Sequence, residues 1–207
     1  SRAAEARGLT VQVPPVTLQA GDEVVPFNRI RRTTAKALGG VWQSMVHVSQ
    51  GIEIDFTTVD RARKAAKVSF QERHGLSLTF LPFLARAVAL ALTDFPKVNS
   101  AYSEDGLIVR RSLNLGIAID LAHDGLVVPV LRNVDDLSLT GLARQLDGLV
   151  KRARAGQLGA DDFDGATYAI TNNGSFGTTF TTPIINPGNA AILSMDAIVK
   201  KPVASDG

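Results

Sequence analysis

The stretch Tyr168–Gly177, YAITNNGSFG, starts as a β-strand and runs into two asparagines, two glycines and a serine before TTFTTPIINPGNAAIL. Tyr168, Ala169 and Ile170 suit a pleated, half-buried surface, whereas Asn, Gly and Ser favour turns. Thr171 therefore sits at the lip of a strand, its hydroxyl held by the strand on one side and open to a small-residue turn on the other. Downstream, AAILSMDAIV (190–199) reads as a second strand. A strand, a Gly-rich turn and another strand place this region in a sheet, and the rest of the sequence decides which kind.

Working back from Tyr168, LTGLARQLDGLVKRARAG (139–156) carries an apolar stripe at Leu139, Leu142, Leu146, Leu149 and Val150, with Ser138 as its N-cap. Before it lie three short β-type runs: GLIVRR (106–111), LNLGIAID (113–120) and GLVVPVLR (125–132), the last two linked by LAHDG. Further upstream, LTFLPFLARAVALALTDF (78–95) reads as a buried helix, with Thr79 as its cap and Pro82 tolerated in its first turn. VHVSQGIEIDFT (46–57) alternates at Ile52, Ile54 and Phe56, which predicts a strand with one face buried; Thr57 or Thr58 then caps a helix ending near His74 and Gly75. A first helix runs from the N-cap Asn28 to about Val46. Helices and strands interleave, yet the hairpin-like runs in the middle point to a mixed sheet. Residues 1–26 show no period and read as a linker or arm.

Composition closes several doors. With 207 residues, 45% hydrophobic and 20% charged, the chain is long enough to bury a real core, about 70% of its unfolded surface. Lys and Arg number 22 against 20 Asp and Glu, so a net charge of +2 leaves no electrostatic footprint for nucleic acid. No membrane partner is indicated either, since Pro82 and Arg86 interrupt the most apolar run. The absence of cysteine removes disulfides, thiolate metal sites and a cysteine nucleophile. SRAAEARG lacks a signal-peptide core, which fits a cytosolic protein or one already processed. Dinucleotide, P-loop, zinc-peptidase and α/β-hydrolase signatures are missing. The acid pairs Asp135/Asp136 and Asp161/Asp162 sit at helix starts, where the dipole favours them. Of three histidines, His74 reads as a helix-end residue and His123 as a turn residue, while His47, between two valines, is either a satisfied structural histidine or a base.

Residue patterns alone stop at a mixed α/β domain. Taken in order, however, IRRTTAKAL, VHVSQGIEID, FPKVNSAY, LNLGIAIDLAHDGLVVPVLRN and GATYAITNNGSFGTTFTTPIINPGNAAILSMDAIVKKPV form a set. That set resembles the catalytic core of the dihydrolipoyl acyltransferases of 2-oxo acid dehydrogenase complexes. The resemblance implies an α/β fold, a mixed β-sheet flanked by helices in the two-layer manner of chloramphenicol acetyltransferase. It divides the chain into a linker and N-terminal arm at 1–26 and a catalytic domain at 27–207, C-terminally incomplete, with the last strand of the fold missing.

It further implies transfer of an acyl group between dihydrolipoamide and coenzyme A. Coenzyme A is then a substrate, the lipoyl group comes from a separate domain, and no metal takes part. The implied partners are other copies of the chain, as a homotrimer and a larger cage, and the 2-oxo acid dehydrogenase and dihydrolipoamide dehydrogenase components, bound through other domains. The cytoplasm is favoured over the mitochondrial matrix. Thr171 matches the serine or threonine whose hydroxyl serves the tetrahedral oxyanion from one subunit toward the histidine base of its neighbour. Arg31 matches an arginine that positions the acid beside that base, and His47 matches a histidine that lines or supports the site. Asn173, Gly174 and Ser175 fall in the turn that binds or supports substrate, and Asn99 matches a structural asparagine.

One departure stands out. In the family a later DHR-x-x-D-G segment carries the catalytic histidine, whereas this sequence reaches Gly207 through KKPVASDG, and none of its histidines opens that motif. The expectation is a fragment without meaningful acyltransferase activity by itself. Two alternatives stay open: a non-catalytic trimeric scaffold, and a chloramphenicol-type acetyltransferase of small molecules, which GLVVPVLRN and PIINPGNAAIL fit less well.

Overall fold

A computed structural model describes residues 15–122 and 124–204; His123 and the outer parts of both termini, including most of the 1–26 arm, lie outside the described residues. The helices are α1 (Arg29–Ser44), α2 (Thr57–His74), α3 (Leu81–Asp94) and α4 (Leu139–Arg154). The strands, in chain order, are β1 (Ser100–Ser103), β2 (Gly106–Val109), β3 (Leu115–Ile117), β4 (Ile119–Asp120), β5 (Leu126–Val127), β6 (Val130–Leu131), β7 (Tyr168–Asn172) and β8 (Ile192–Met195).

Four strands form the central sheet in the order β6-β3-β7-β8. β3 runs antiparallel to β6 and parallel to β7, and β7 runs parallel to β8, so the sheet is mixed, as the sequence predicts. Register aligns Leu131, Leu115 and Tyr168 in one row and Ile117, Ile170 and Leu193 in the next. Since side chains alternate along a strand, both rows face the same side. They meet Ala85, Val88, Ala89 and Leu92 of α3 and Leu142, Leu146, Leu149 and Ala153 of α4 in one apolar cluster. Leu115 and Leu142 retain no exposed surface, and each such side chain contributes about 1.5–3 kcal/mol by leaving water. The opposite face carries Gly116, Ala169 and Thr171. Two further pairs, β1–β2 and β4–β5, are antiparallel hairpins beside the sheet.

Local chemistry explains most boundaries. Asn28 caps α1, its Oδ1 accepting the Arg31 N–H at 2.9 Å, while its Nδ2 donates to the Asp124 carbonyl at 2.6 Å. The same side chain thus starts the helix and pins it to the β4–β5 hairpin. Ser138 caps α4 through the Gly141 N–H at 3.2 Å, and Pro82 lies in the first turn of α3. Asn99 is buried, its Nδ2 donating to the Arg110 and Ser112 carbonyls, which holds the chain between α3 and β1. At the other acid pair, Asp162 accepts the Gly159 N–H at 2.9 Å and holds Arg152 with 2.7 and 3.0 Å hydrogen bonds.

Three sequence readings need correction. The expected half-buried strand over residues 46–56 is not formed: the segment has no regular secondary structure, with Val46, Val48, Ile52 and Ile54 exposed by 66 to 93%. A period of two selects a face, but a strand also needs a neighbour to complete its ladder. Among the described residues, 46–55 has no backbone-to-backbone partner. Next, neither Thr57 nor Thr58 caps α2; Asp55 Oδ1 accepts the Thr57 N–H at 2.8 Å instead, a carboxylate being the stronger acceptor. Finally, α3 starts after Phe80 without a side-chain cap, so Thr79 does not serve it.

Candidate active site

β7 delivers Thr171 by simple alternation. Ile170 is buried against α3 and α4, so Thr171, the next residue, points to the other face, where it pairs in register with Ser194 of β8. Beyond Asn172 the chain turns sharply. The Asn173 N–H donates to the Met195 carbonyl at 2.9 Å, prolonging the β7–β8 pairing by one bond, and the Gly174 N–H donates to Asn172 Oδ1 at 3.2 Å. Gly174 then passes against the backbone of Asp196 and Ala197, where a side chain has no room.

The hydroxyl of Thr171 enters a chain of polar side chains. Its Oγ1 lies 3.5 Å from Asn173 Oδ1, and Asn173 Nδ2 lies 3.2 Å from Thr181 Oγ1 and 3.3 Å from Ser194 Oγ. Thr181 donates to Asp196 Oδ1 at 2.7 Å. All five side chains are half-buried, a setting in which hydrogen bonds are stronger than in water. Below them, burial of Tyr168 pushes its phenol above 10.0, so it stays neutral at physiological pH.

The structure therefore brings Thr171, Asn173 and Gly174 together, with Ser175 exposed on the same turn. His47 stands apart from that cluster. Its Nδ1 lies 3.2 Å from the Met45 carbonyl, its Nε2 accepts the Ile185 N–H at 3.2 Å, and its ring lies 4.9 Å from that of Trp42. Nδ1 faces a carbonyl and Nε2 accepts from a backbone N–H, so both ring nitrogens are engaged in holding the chain. His47 ties the start of the 46–56 segment to the loop that carries Thr181. Arg31 is exposed in the first turn of α1, the helix that rests on the β4–β5 hairpin. His74 sits in the last turn of α2 with its ring 4.7 Å from Phe70.

Sequence reading misses Thr181, Ser194 and Asp196. Two of them stood inside a run read only as a strand, and Asp196 gave a signal: an acid within ILSMDAIV is a polar group in an apolar setting, which needs a partner. Thr181 belongs to TTFTT, five residues with four hydroxyls. Chemically, the cluster offers one hydroxyl donor at a strand end, backed by an acceptor-only carboxylate. Among the described residues no group of His, Cys, Asp and Glu could hold a metal ion.

This backbone is that of an acyltransferase catalytic core. It overlays a probable dihydrolipoamide acetyltransferase from Listeria monocytogenes with a TM-score of 0.87 and 40% identity, covering 91% of this chain and 80% of that one. It overlays the cubic core of a pyruvate dehydrogenase multienzyme complex with a TM-score of 0.88 and 35% identity, covering 94% and 82%. Residues 19–207 match the family described as 2-oxoacid dehydrogenases acyltransferase (catalytic domain), and the chain belongs to that family. The lipoamide acyltransferase component of the branched-chain alpha-keto acid dehydrogenase complex of Bacillus subtilis is 38% identical over 187 residues. That alignment covers 90% of this chain and 44% of the relative, so the chain spans less than half of that protein's length.

Proposed function

We propose that this chain is part of the acyl-transfer core of a 2-oxo acid dehydrogenase complex, an enzyme that moves an acyl group between the thiols of dihydrolipoamide and coenzyme A, and that the chain by itself supplies the oxyanion side of that site without turning over. The observation that carries the reading is the position of Thr171: a hydroxyl at the end of a rigid strand, on the sheet face away from the α3–α4 core, beside a turn of small residues. In the reaction, the attacking sulfur adds to the thioester carbonyl, and its proton leaves to a base. The carbonyl oxygen becomes an oxyanion, to which Thr171 donates. Collapse of the tetrahedral species expels the other thiolate, which takes up the proton. One donor aimed at the developing charge is worth roughly 10²–10³ in rate. A base is needed because a thiol with a pKa near 8.5 is mostly neutral at pH 7.

His47 is assigned as a support, since both ring nitrogens are engaged. Asn173, Gly174 and Ser175 shape the turn beside the reacting carbonyl, and Arg31 serves from α1. A homotrimer is supported by the exposed apolar side chains Trp42, Val46, Val48, Ile52 and Ile54, all within residues 42–54. Membership in the family supports larger cages and the 2-oxo acid dehydrogenase and dihydrolipoamide dehydrogenase partners. Among the described residues no helix is long and apolar enough to cross a membrane, and bacterial relatives support the cytoplasm over the mitochondrial matrix.

Incubating the complete gene product with dihydrolipoamide and, in turn, acetyl-, succinyl- and branched-chain acyl-coenzyme A tests this directly. Loss of free lipoyl thiol with one or more donors is expected. No transfer from any of them contradicts the reading.

A further inference from the structure

The hydrogen-bond directions around Thr171 can be worked out one group at a time. The Asp196 carboxylate only accepts, so at 2.7 Å Thr181 gives it its single hydroxyl proton. Thr181 Oγ1 can then only accept from Asn173 at 3.2 Å, which turns the amide so that Nδ2 faces Thr181. The second amide N–H reaches Ser194 Oγ at 3.3 Å. With both N–H groups spent on that side, Asn173 presents Oδ1 to Thr171 and accepts its proton across 3.5 Å. Each orientation follows from the one before it, and the carboxylate sets the first.

We propose that Asp196, Thr181 and Asn173 form a positioning relay that fixes the rotamer and the proton direction of the Thr171 hydroxyl. This rests on Thr171 being the oxyanion donor. At 3.5 Å this contact is longer than an ordinary O–H···O hydrogen bond of about 2.5–3.0 Å, so Asn173 directs the proton without binding it. When negative charge develops on a substrate oxygen, a short charge-assisted bond to that oxygen outcompetes the long one to Asn173. Without the relay, Asn173 is free to turn its amide, Nδ2 can face Thr171, and Oγ1 is free to rotate among staggered positions of which only some point at the carbonyl. The three relay residues act on the reaction through Thr171.

The test uses the complete gene product and four variants: Thr181→Val, Thr181→Ser, Thr171→Ala and Thr171→Ala/Thr181→Val. Thr181→Val keeps the shape of the side chain and removes the hydroxyl. It is expected to lower kcat about 5-fold, the worth of one neutral hydrogen bond, with KM for both thiol substrates unchanged. Thr181→Ser restores kcat, and in the Thr171→Ala background Thr181→Val causes no further loss, because both changes act on one hydroxyl. If Thr171→Ala is slow while Thr181→Val keeps full kcat, the relay is overturned and the role of Thr171 stands. The same loss from Thr181→Val in both backgrounds also overturns the relay, since the effect is then independent of Thr171. If Thr171→Ala itself keeps full kcat, the oxyanion role falls and the relay with it. Should Thr181→Val not fold, Asn173→Ala takes its place with the same expected split and the same contrary outcomes.

Discussion

A Cβ on Gly174 would stand 2.9 Å from the carbonyl oxygen of Asp196, and 3.3 Å from the Ala197 Cα. The obstacle is backbone, which cannot swing aside as a side chain can. The turn after β7 and the exit of β8 are thus in direct contact, and the two ends of the Thr171–Asp196 cluster are locked together. Gly174→Ala is expected to destabilise the fold by about 1–3 kcal/mol, the usual cost of overpacking. Urea denaturation checks it; an unchanged midpoint is the contrary result.

Gly125 plays a similar part at the other edge. Its φ of +153° is unfavourable for side-chain-bearing residues, and a Cβ there would lie 2.7 Å from Ile30 Cγ2. Gly125→Ala is expected to push α1 off the β4–β5 hairpin, weaken the Asn28 to Asp124 hydrogen bond and cost about 1–3 kcal/mol. Shortening Ile30 to Ala in the same chain removes the Cγ2 contact but leaves the Cβ at 3.3 Å and the backbone strain, so stability measured by thermal unfolding recovers only in part.

The Asp162 carboxyl is held below its ordinary value of 3.8, mainly by the Arg152 guanidinium and then by the Gly159 N–H. A carboxyl with a lowered folded pKa adds stability above its unfolded pKa, and that stability is lost as pH falls through the folded value. Asp162→Asn should therefore destabilise the chain near neutral pH, and its deficit against wild type should close as pH drops below about 4. Since Arg152 is partly exposed, high salt should narrow the deficit as well. Chemical denaturation across pH and salt reads both effects; a deficit that persists at low pH contradicts the assignment.

Ile52 and Ile54 lie on the exposed 46–56 segment and contribute nothing to the buried cluster. If that segment is subunit interface, Ile52→Lys/Ile54→Lys leaves the far-ultraviolet spectrum unchanged and lowers the mass measured by light scattering. An unchanged mass with the same spectrum removes the segment from the interface.

These cases show what the sequence carries and what it does not. Asn28, Ser138 and Gly75 are legible because caps act within a few residues of themselves, and the rows of β3 and β7 are legible because Leu115, Ile117, Tyr168 and Ile170 alternate. The 46–56 segment has the same alternation and no strand, since pairing depends on a neighbour that local pattern does not reveal. β1, of sequence SAYS, has almost no apolar signal and is set by its register with β2. At the site, Thr171 and its turn follow from a strand meeting turn residues, and the resemblance to a family gives the hydroxyl its expected role. Thr181, Ser194 and Asp196 escape because they stand 8 to 23 positions from Asn173, joined through a loop whose path no local pattern fixes.

The central claim is that the Thr171 hydroxyl stabilises the oxyanion of acyl transfer. The most direct measurement is kcat for transfer from acyl-coenzyme A to dihydrolipoamide in the Thr171→Ala and Thr171→Ser forms of the complete gene product. Loss of an interaction made only in the transition state predicts kcat about 10²-fold lower for Thr171→Ala, with KM nearly unchanged and Thr171→Ser close to wild type. Wild-type kcat in Thr171→Ala contradicts the claim and leaves Thr171 as a half-buried residue of β7 with a structural role only.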